Sequence, residues 1–268
     1  MTIRRRMALA YDGTDFQGWQ IQEGKDPYQT IQGASEAALF AILGEKIRIT
    51  GSGRTDAGVS ATGQIAHFDA DAAPGLDFRR ALNSHLPKSI RVLAVAPASP
   101  SFHARKSALY KTYTYLFWRD PIVIPPFAWR VMYPAGPLDA EKMRVATAKF
   151  VGVHDFASFQ NAGTPQKSTV RTVYSIFLKE LPPVSGIPPH IPPLALSVTA
   201  NGFLKQMARN IAGFLAEAGK GRVPADSLPG ILAARDRSIL KTPTAPPQGL
   251  TLSYVAYPPK DSFFLEMG

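Results

Sequence analysis

The sequence lacks cysteine and has little histidine, and both limit the chemistry that it can carry. Without cysteine, disulfides and thiolate metal sites are excluded. The five histidines show no ligand-like spacing; they are His67, His85, His103, His154 and His190. We therefore expect no metal site, and a chain without cysteine fits a reducing, cytoplasmic location.

The chain also lacks a long apolar run. No stretch approaches the roughly 18 residues that a membrane-spanning helix needs. No apolar stretch follows the basic start Met-Thr-Ile-Arg-Arg-Arg, so we expect neither a signal peptide nor a membrane partner. The 268 residues suffice for one large domain or two modest ones with a buried core.

Acidic residues are scarce compared with basic ones. Asp and Glu number 20 against 30 Lys and Arg, which gives a net charge of +10. A compact protein this basic commonly binds a polyanion, so nucleic acid is the partner class that the charge favours. A basic surface without such a partner is the alternative.

The first hundred residues alternate between strand and helix patterns. Periodicity predicts strands at 6–11, 46–50, 63–69 and 90–96, and helices at 31–43 and 77–85. The order β-α-β-β-α-β is that of a ferredoxin-like unit, whose sheet has one face free to meet a ligand. RNA-recognition modules use this sheet face.

The second half repeats this pattern. It predicts strands at 107–118, 170–180, 194–200 and 250–257, and helices at 139–150, 202–219 and 226–235. Proline-rich residues 119–137 and 182–193 are predicted to be ordered surface loops. We predict an α+β fold with two ferredoxin-like halves, 1–103 and 104–268, which share an extended, mostly antiparallel sheet with a central cleft.

The segment Gly-Ser-Gly-Arg-Thr-Asp-Ala-Gly-Val at 51–59 is the main candidate for chemistry. Its glycines allow the backbone to bend sharply between two strands and to approach a ligand, which leaves Asp56 accessible. Taken alone, the segment also fits an aspartate that only stabilises a turn, and Arg54 fits a solvated arginine.

Two further candidates lie in the second half. Tyr113 shares one strand face with Tyr115, which suits either base stacking or simple packing in the sheet. Arg209 follows Lys205 at helical spacing, on a face other than the apolar stripe. It is either solvated or directed at an active site, where it would keep a carboxylate charged.

Several motifs, in order along nearly the whole chain, resemble the tRNA pseudouridine synthase A family. The 53–59 segment is similar to its catalytic loop, and Tyr-Asp-Gly-Thr-Asp-Phe-Gln-Gly-Trp-Gln at 11–20 is similar to its opening strand and loop. Further blocks resemble it at 62–68, 102–105, 113–115, 152–156, 207–213 and 245–250. One departure is Ser60, which stands where the family commonly has histidine.

The resemblance implies a pseudouridine synthase fold and an isomerase that converts uridine to pseudouridine in the tRNA anticodon stem-loop, at positions 38–40. It implies that Asp56 is the catalytic nucleophile or base and that Arg209 forms a salt bridge to it. It implies that Tyr113 contacts the target nucleotide and that Arg54 contacts phosphate. It further implies a homodimer. The reaction requires no cofactor.

Three other hypotheses concern charge. Seven basic residues are candidates for RNA backbone contacts: Arg4, Arg5, Arg6, Arg79, Arg80, Lys205 and Lys220. A catalytically silent RNA-binding or RNA-folding protein would share the charge, sheet and tyrosines. A metal-dependent nuclease would need acidic pairs such as Asp12 with Asp15 or Asp69 with Asp71, although a turn explains Asp12 better.

Overall fold

The computed structural model describes residues 2–263, apart from residues 25, 72–74, 122–123, 127, 162, 164–166 and 183–191. The chain divides into two compact units. The first comprises Met1–Lys111 and Thr251–Gly268, and the second comprises Thr112–Leu250. The predicted halves were 1–103 and 104–268; in the division into units, the C-terminal strand belongs to the first unit.

The described residues form ten strands and six α-helices. The strands are β1 Ile3–Tyr11, β2 Thr50–Gly51, β3 Ser60–Ala70, β4 Ile90–Pro97, β5 Tyr110–Trp118, β6 Tyr133–Pro134, β7 Gly152–Asp155, β8 Val170–Glu180, β9 Leu194–Ala200 and β10 Leu250–Ala256. The helices are α1 Ile31–Leu43, α2 Phe78–His85, α3 Ala128–Val131, α4 Ala140–Ala148, α5 Met207–Gly219 and α6 Leu228–Ala234.

Capping residues explain why α1 has the predicted bounds. The Thr30 hydroxyl accepts a hydrogen bond from Gly33 N at 3.1 Å, which satisfies a free amide at the helix start. Gly44 ends the helix with a φ of 73°, a left-handed conformation that glycine adopts without strain. β8 and β9 also have the predicted bounds.

The first unit has the predicted β-α-β-β-α-β order. β1 pairs antiparallel with both β3 and β4. The other edge of β3 pairs with β2 antiparallel and with β10 parallel. The 51–59 loop therefore connects two neighbouring antiparallel strands, β2 and β3.

The second unit contains the strand order β5-β9-β8-β7, with β6 added in parallel to β5. Helix α4 packs against α5 and β8. Four fully buried aromatic side chains form ring contacts in its core: Phe150, Phe156, Phe159 and Phe214. This core fixes the helix α5 that carries Arg209.

Three predictions differ from the structure. The helix predicted from residue 202 begins at Met207, because Gln206 has a φ of 60° and cannot continue a right-handed helix. The strand predicted at 46–50 is reduced to β2. The predicted surface loop 119–137 contains α3 and β6 and buries Arg119 and Asp120.

The α+β fold class is confirmed. The shared sheet and the central cleft concern the relation between the two units and stay predictions. Most of the loop predicted at 182–193 lies outside the described residues. No helix among the described residues is long and apolar enough to cross a membrane.

Candidate active site

The 51–59 loop holds Asp56 in a turn that mixes buried and exposed residues. Thr55 and Val59 are buried, Asp56 is half-buried, and Arg54 is exposed. The loop closes on itself where Val59 N donates to the Asp56 carbonyl at 3.1 Å, with Gly58 at a φ of 78°. Asp56 therefore sits on a tight turn that leaves it half-buried.

The opening loop at 12–20 packs its backbone directly against the 51–59 loop. Trp19 N donates to the Thr55 carbonyl at 3.0 Å. A Cβ on Gly18 would lie 2.7 Å from the Thr55 carbonyl oxygen, and one on Gly13 would lie 2.0 Å from that of Val59. Both glycines are therefore required by close backbone approach, which explains why the two motifs occur together.

Buried polar side chains form hydrogen bonds that hold the 51–59 loop in place. The Tyr11 hydroxyl and the Thr55 hydroxyl lie 2.9 Å apart. Ser52 Oγ donates to Gln64 Oε1 at 2.7 Å, and Gln64 Nε2 donates to the Gly53 carbonyl at 2.9 Å. Burial raises the pKa of Tyr11 to about 12, against hydrogen bonds that lower it, so its hydroxyl stays neutral and able to donate.

His67 hydrogen-bonds the backbone directly before the 51–59 loop. Its Nδ1 accepts from Ala104 N at 3.2 Å, and the ring also hydrogen-bonds the backbone of Thr50. This arrangement assigns the proton of the neutral ring to Nε2. Burial, with repulsion from Arg4 and His103, lowers the pKa of His67 to about 4 despite the opposing Asp69 and Thr50.

Ser60 stands where the family that the chain resembles commonly has histidine. Its hydroxyl accepts a hydrogen bond from Gly13 N at 3.1 Å. The serine therefore holds the opening loop against the start of β3.

In the second unit, Tyr113 and Arg209 are anchored separately. Tyr113 is 7% exposed, and its ring meets Phe203 edge-on at a centroid distance of 4.8 Å. Arg209 Nε donates to the Ala245 carbonyl at 2.8 Å, and Ala245 N donates back to the Arg209 carbonyl at 3.2 Å. The guanidinium is thus fixed to the segment that follows α6.

Tyr115 is a neighbour of Arg209 that the sequence arguments did not single out. Its hydroxyl donates to the Pro246 carbonyl at 2.8 Å. Burial raises the pKa of Tyr115 above its usual value, and the charge of Arg209 acts in the opposite direction. The alternation of tyrosines along β5 was the available signal, because Tyr113 and Tyr115 share a strand face.

A network of side-chain amides fixes the start of α5. Asn210, fully buried, donates to the Phe159 carbonyl at 2.7 Å and to Asn161 Oδ1 at 2.9 Å. Its own Oδ1 accepts from the Thr244 hydroxyl at 2.7 Å. Asn161 in turn donates to Gln206 Oε1, which stabilises the left-handed residue before the helix.

Helix α5 differs from the amphipathic helix expected. Every one of its residues is buried except Arg209, which is half-buried. Phe203 and Lys205 precede the helix, so the predicted stripe and the Lys205–Arg209 helical face are not formed. Arg209 is therefore the one residue of α5 whose side chain is partly exposed.

Several candidate RNA-contacting residues instead make internal contacts. Arg4 forms a bidentate pair with Asp69, at 2.8 and 2.7 Å. Arg5 donates to the Ile3 and Ala70 carbonyls and lies over the Phe78 ring. Arg6 is buried beside the Phe263 ring, and Lys220 Nζ donates to Glu217 at 3.0 Å. Three candidates stay exposed, namely Arg79, Arg80 and Lys205.

The acidic pairs considered for metal binding have structural partners. Asp12 Oδ1 accepts from Thr14 N at 3.0 Å and from the Thr14 hydroxyl at 2.6 Å, as in a side-chain-capped turn. Asp69 is paired with Arg4. Within the part of the chain that the structure describes, no group of three histidine or acidic residues is placed to hold a metal ion.

The first unit thus brings Arg54 and Asp56 together on one braced loop, and the second brings Arg209 close to the tyrosine strand. The predicted Asp56–Arg209 contact joins the two units and stays a prediction. Fold and loop define a class: an α+β protein with an accessible carboxylate on a glycine-rich turn between strands.

Comparison with known proteins assigns the family. Residues 7–105 and 146–258 match the family model described as tRNA pseudouridine synthase. A tRNA pseudouridine synthase A of Oleidesulfovibrio alaskensis is 46% identical, over 95% of this chain and 96% of the relative. Proteins of the same name from Nitratidesulfovibrio vulgaris and Maridesulfovibrio salexigens are 42% and 41% identical, each over at least 95% of this chain and 90% of the relative. The chain belongs to the tRNA pseudouridine synthase family.

Proposed function

We propose that this chain isomerises uridine to pseudouridine at positions 38–40 in the anticodon stem-loop of tRNA, with Asp56 as the catalytic residue. The observation that carries the proposal is the placement of Asp56. Its carboxylate is half-buried on a loop braced on both sides, next to an exposed arginine, Arg54. The family and the net charge of +10 support a tRNA substrate.

The chemistry needs only a carboxylate and a held substrate. The N1–C1′ bond breaks, the uracil turns, C5 bonds to C1′, and the C5 proton is released, so no oxidant or cofactor is consumed. An ionised Asp56 serves either as the nucleophile or as a base on the ribose. Both roles require that the loop keep the carboxylate in one position relative to the sugar.

Three further residues complete the proposed site. Arg209 pairs with Asp56 as its counter-charge; at about 4 Å and an effective dielectric of about 20, such a pair is worth roughly 4 kcal/mol before desolvation. Tyr113 contacts the target base, and base–aromatic stacking contributes about 1–3 kcal/mol. Arg54 contacts phosphate and helps to offset the few kcal/mol that extruding a nucleotide costs.

The proposal extends to assembly and location. A homodimer would let one tRNA reach across both subunits, and a cytoplasmic location would give access to tRNA. The net charge of +10 is consistent with phosphate contacts that weaken as salt rises.

Release of tritium from tRNA tritiated at uridine C5 tests the function. Asp56→Asn is expected to lower release by at least about a thousandfold, because it removes the charge and the nucleophile together. Asp77→Asn is the matched control: Asp77 is an exposed helix N-cap of the same unit, where asparagine caps equally well. Release that survives Asp56→Asn would contradict the mechanism.

The silent RNA-binding alternative predicts a different outcome. Purified wild-type protein would bind the anticodon stem-loop but release no tritium, and Asp56→Asn would preserve every cellular effect. A map of pseudouridines in tRNA from cells with and without the protein separates the two hypotheses and identifies the modified positions.

A further inference from the structure

A half-buried lysine reaches the base of the 51–59 loop. Lys111 is the second residue of β5, and its Nζ donates to the Ser52 carbonyl at 2.5 Å. Within the described part of the chain, this ammonium has no carboxylate partner. Withdrawing an ammonium from water without a counter-charge is costly even where the side chain is half-buried, so the contact with the Ser52 carbonyl calls for a role that an apolar side chain cannot supply.

Ser52 is the point at which the loop is tied to the sheet. It is fully buried, its N–H donates to the Ile65 carbonyl at 2.7 Å, and its hydroxyl donates to Gln64. Lys111 binds the remaining polar group, the carbonyl. Because Ser52 lies four residues before Asp56, a shift of this carbonyl would displace the turn that carries the catalytic carboxylate.

We propose that Lys111, in its charged form, is a positioning residue that fixes the 51–59 loop, and with it Asp56, through the Ser52 carbonyl. The inference rests on the proposed function of Asp56. An ammonium is the better donor here, because a charge-assisted hydrogen bond is roughly twice as strong as a neutral one. The loop is therefore held most firmly when Lys111 is protonated.

The surroundings make this protonation sensitive to mildly alkaline pH. Burial lowers the pKa of Lys111 to about 8, and the nearby charge of Arg105 lowers it further in the same direction. The other titratable groups that face Ser52 and its neighbours do not titrate there. Burial raises the pKa of Tyr257 above its usual value, and His67 and His103 both have lowered pKa values.

Lys111→Met and Lys111→Arg test the proposal through the pH dependence of turnover. In the wild type, kcat for tRNA is expected to fall as pH rises through about 8. Lys111→Met should lower kcat at pH 7 about tenfold or more, leave KM within about threefold, and lose this alkaline limb. Lys111→Arg should retain most activity and move the limb above pH 9.5, because a guanidinium stays charged.

Lys88→Met is the matched control, since it removes the same charge from an exposed position in the same unit. It should keep the wild-type profile. Wild-type values of kcat and an unchanged alkaline limb in Lys111→Met would overturn the proposal. If Lys111→Met fails to fold, the position of the limb in Lys111→Arg decides the question.

Amide hydrogen exchange of residues 50–59 in the free protein gives a readout that does not depend on activity. At pH 7, Lys111→Met should exchange faster there than the wild type, whereas Lys88→Met should not. Unchanged exchange would refute the anchoring role even if the wild type isomerises tRNA. Faster exchange in a protein that releases no tritium would instead refute the proposed function and leave the anchor intact.

Discussion

In the first unit the Asp56 loop packs against the opening loop through close backbone contacts, whereas in the second unit the start of the Arg209 helix is fixed by side-chain amides in addition to a close backbone contact at Gly213. The opening loop approaches the 51–59 loop so closely that glycine is required at residues 13 and 18. The start of α5 depends instead on the hydrogen bonds of Asn210 and Asn161. Added volume at Gly13 or Gly18 should therefore disturb the first arrangement, and loss of the amides should disturb the second.

Gly13→Ala should have the largest effect of the substitutions that test this comparison. The added Cβ would lie 2.0 Å from the Val59 carbonyl oxygen, so backbone must move, at a cost of about 3 kcal/mol in unfolding free energy. Urea denaturation and tritium release should both show the damage. Gly230→Ala, where a Cβ meets nothing within 4 Å, should not destabilise the protein. Equal effects of the two substitutions would contradict the steric argument.

Asn210→Ala should disrupt the hydrogen bonds that fix the start of α5. It leaves the Phe159 carbonyl and the Thr244 hydroxyl without their partner, which should cost about 2–3 kcal/mol and lower kcat through Arg209. Asn201→Ala, at an exposed asparagine of the same unit that accepts one hydrogen bond from Thr172 N, should cost only about 1 kcal/mol. Thermal denaturation with kinetics checks both. A stable Asn210→Ala variant with normal kcat would show that the network does not hold Arg209.

The His67 contact predicts how the first unit responds to acid. The folded-state pKa of about 4 lies below the ordinary value of 6.5, so the unfolded chain binds a proton first as pH falls. Stability should therefore decline from pH 6.5 towards 4, by about 2 kcal/mol at pH 4.5. His67→Asn keeps an acceptor for Ala104 N but does not titrate. Denaturation at several pH values should give a flatter curve for this variant; parallel curves would assign the decline to other groups.

Ser60→Ala should have the smallest effect. It removes one hydrogen bond, that from Gly13 N, and should lower the unfolding free energy by about 1 kcal/mol. Activity should fall only as far as the opening loop loosens, which hydrogen exchange at residues 12–20 can measure. A large loss of kcat with unchanged exchange would indicate that Ser60 acts on the substrate rather than on the loop.

Local patterns were sufficient for most secondary structure. The helix 31–43 and the strands 170–180 and 194–200 have the predicted bounds, because their caps and side-chain periodicity are local properties. The bounds of α5 were predicted wrongly at its start. Gln206 adopts a left-handed conformation that its own sequence does not favour, and a hydrogen bond from the distant Asn161 stabilises it.

The Asp56 loop itself could be found from sequence, because three glycines around one Arg and one Asp form a distinctive string. The residues that brace it could not be found in this way. Lys111 is far from the loop in sequence, and the resemblance of the 62–68 block did not indicate that Gln64 and His67 would hydrogen-bond the loop and its start.

What the sequence determined by itself was most of the strands and helices and the turn that carries Asp56, since turns, caps and periodicity act within a few residues. Only the tertiary structure decided which charged groups found partners within the protein: Arg4 is paired with Asp69, and Lys111 is hydrogen-bonded to the Ser52 carbonyl. The reason is that burial and hydrogen bonding depend on partners brought together by the sheet, and these partners lie about 60 residues away along the chain.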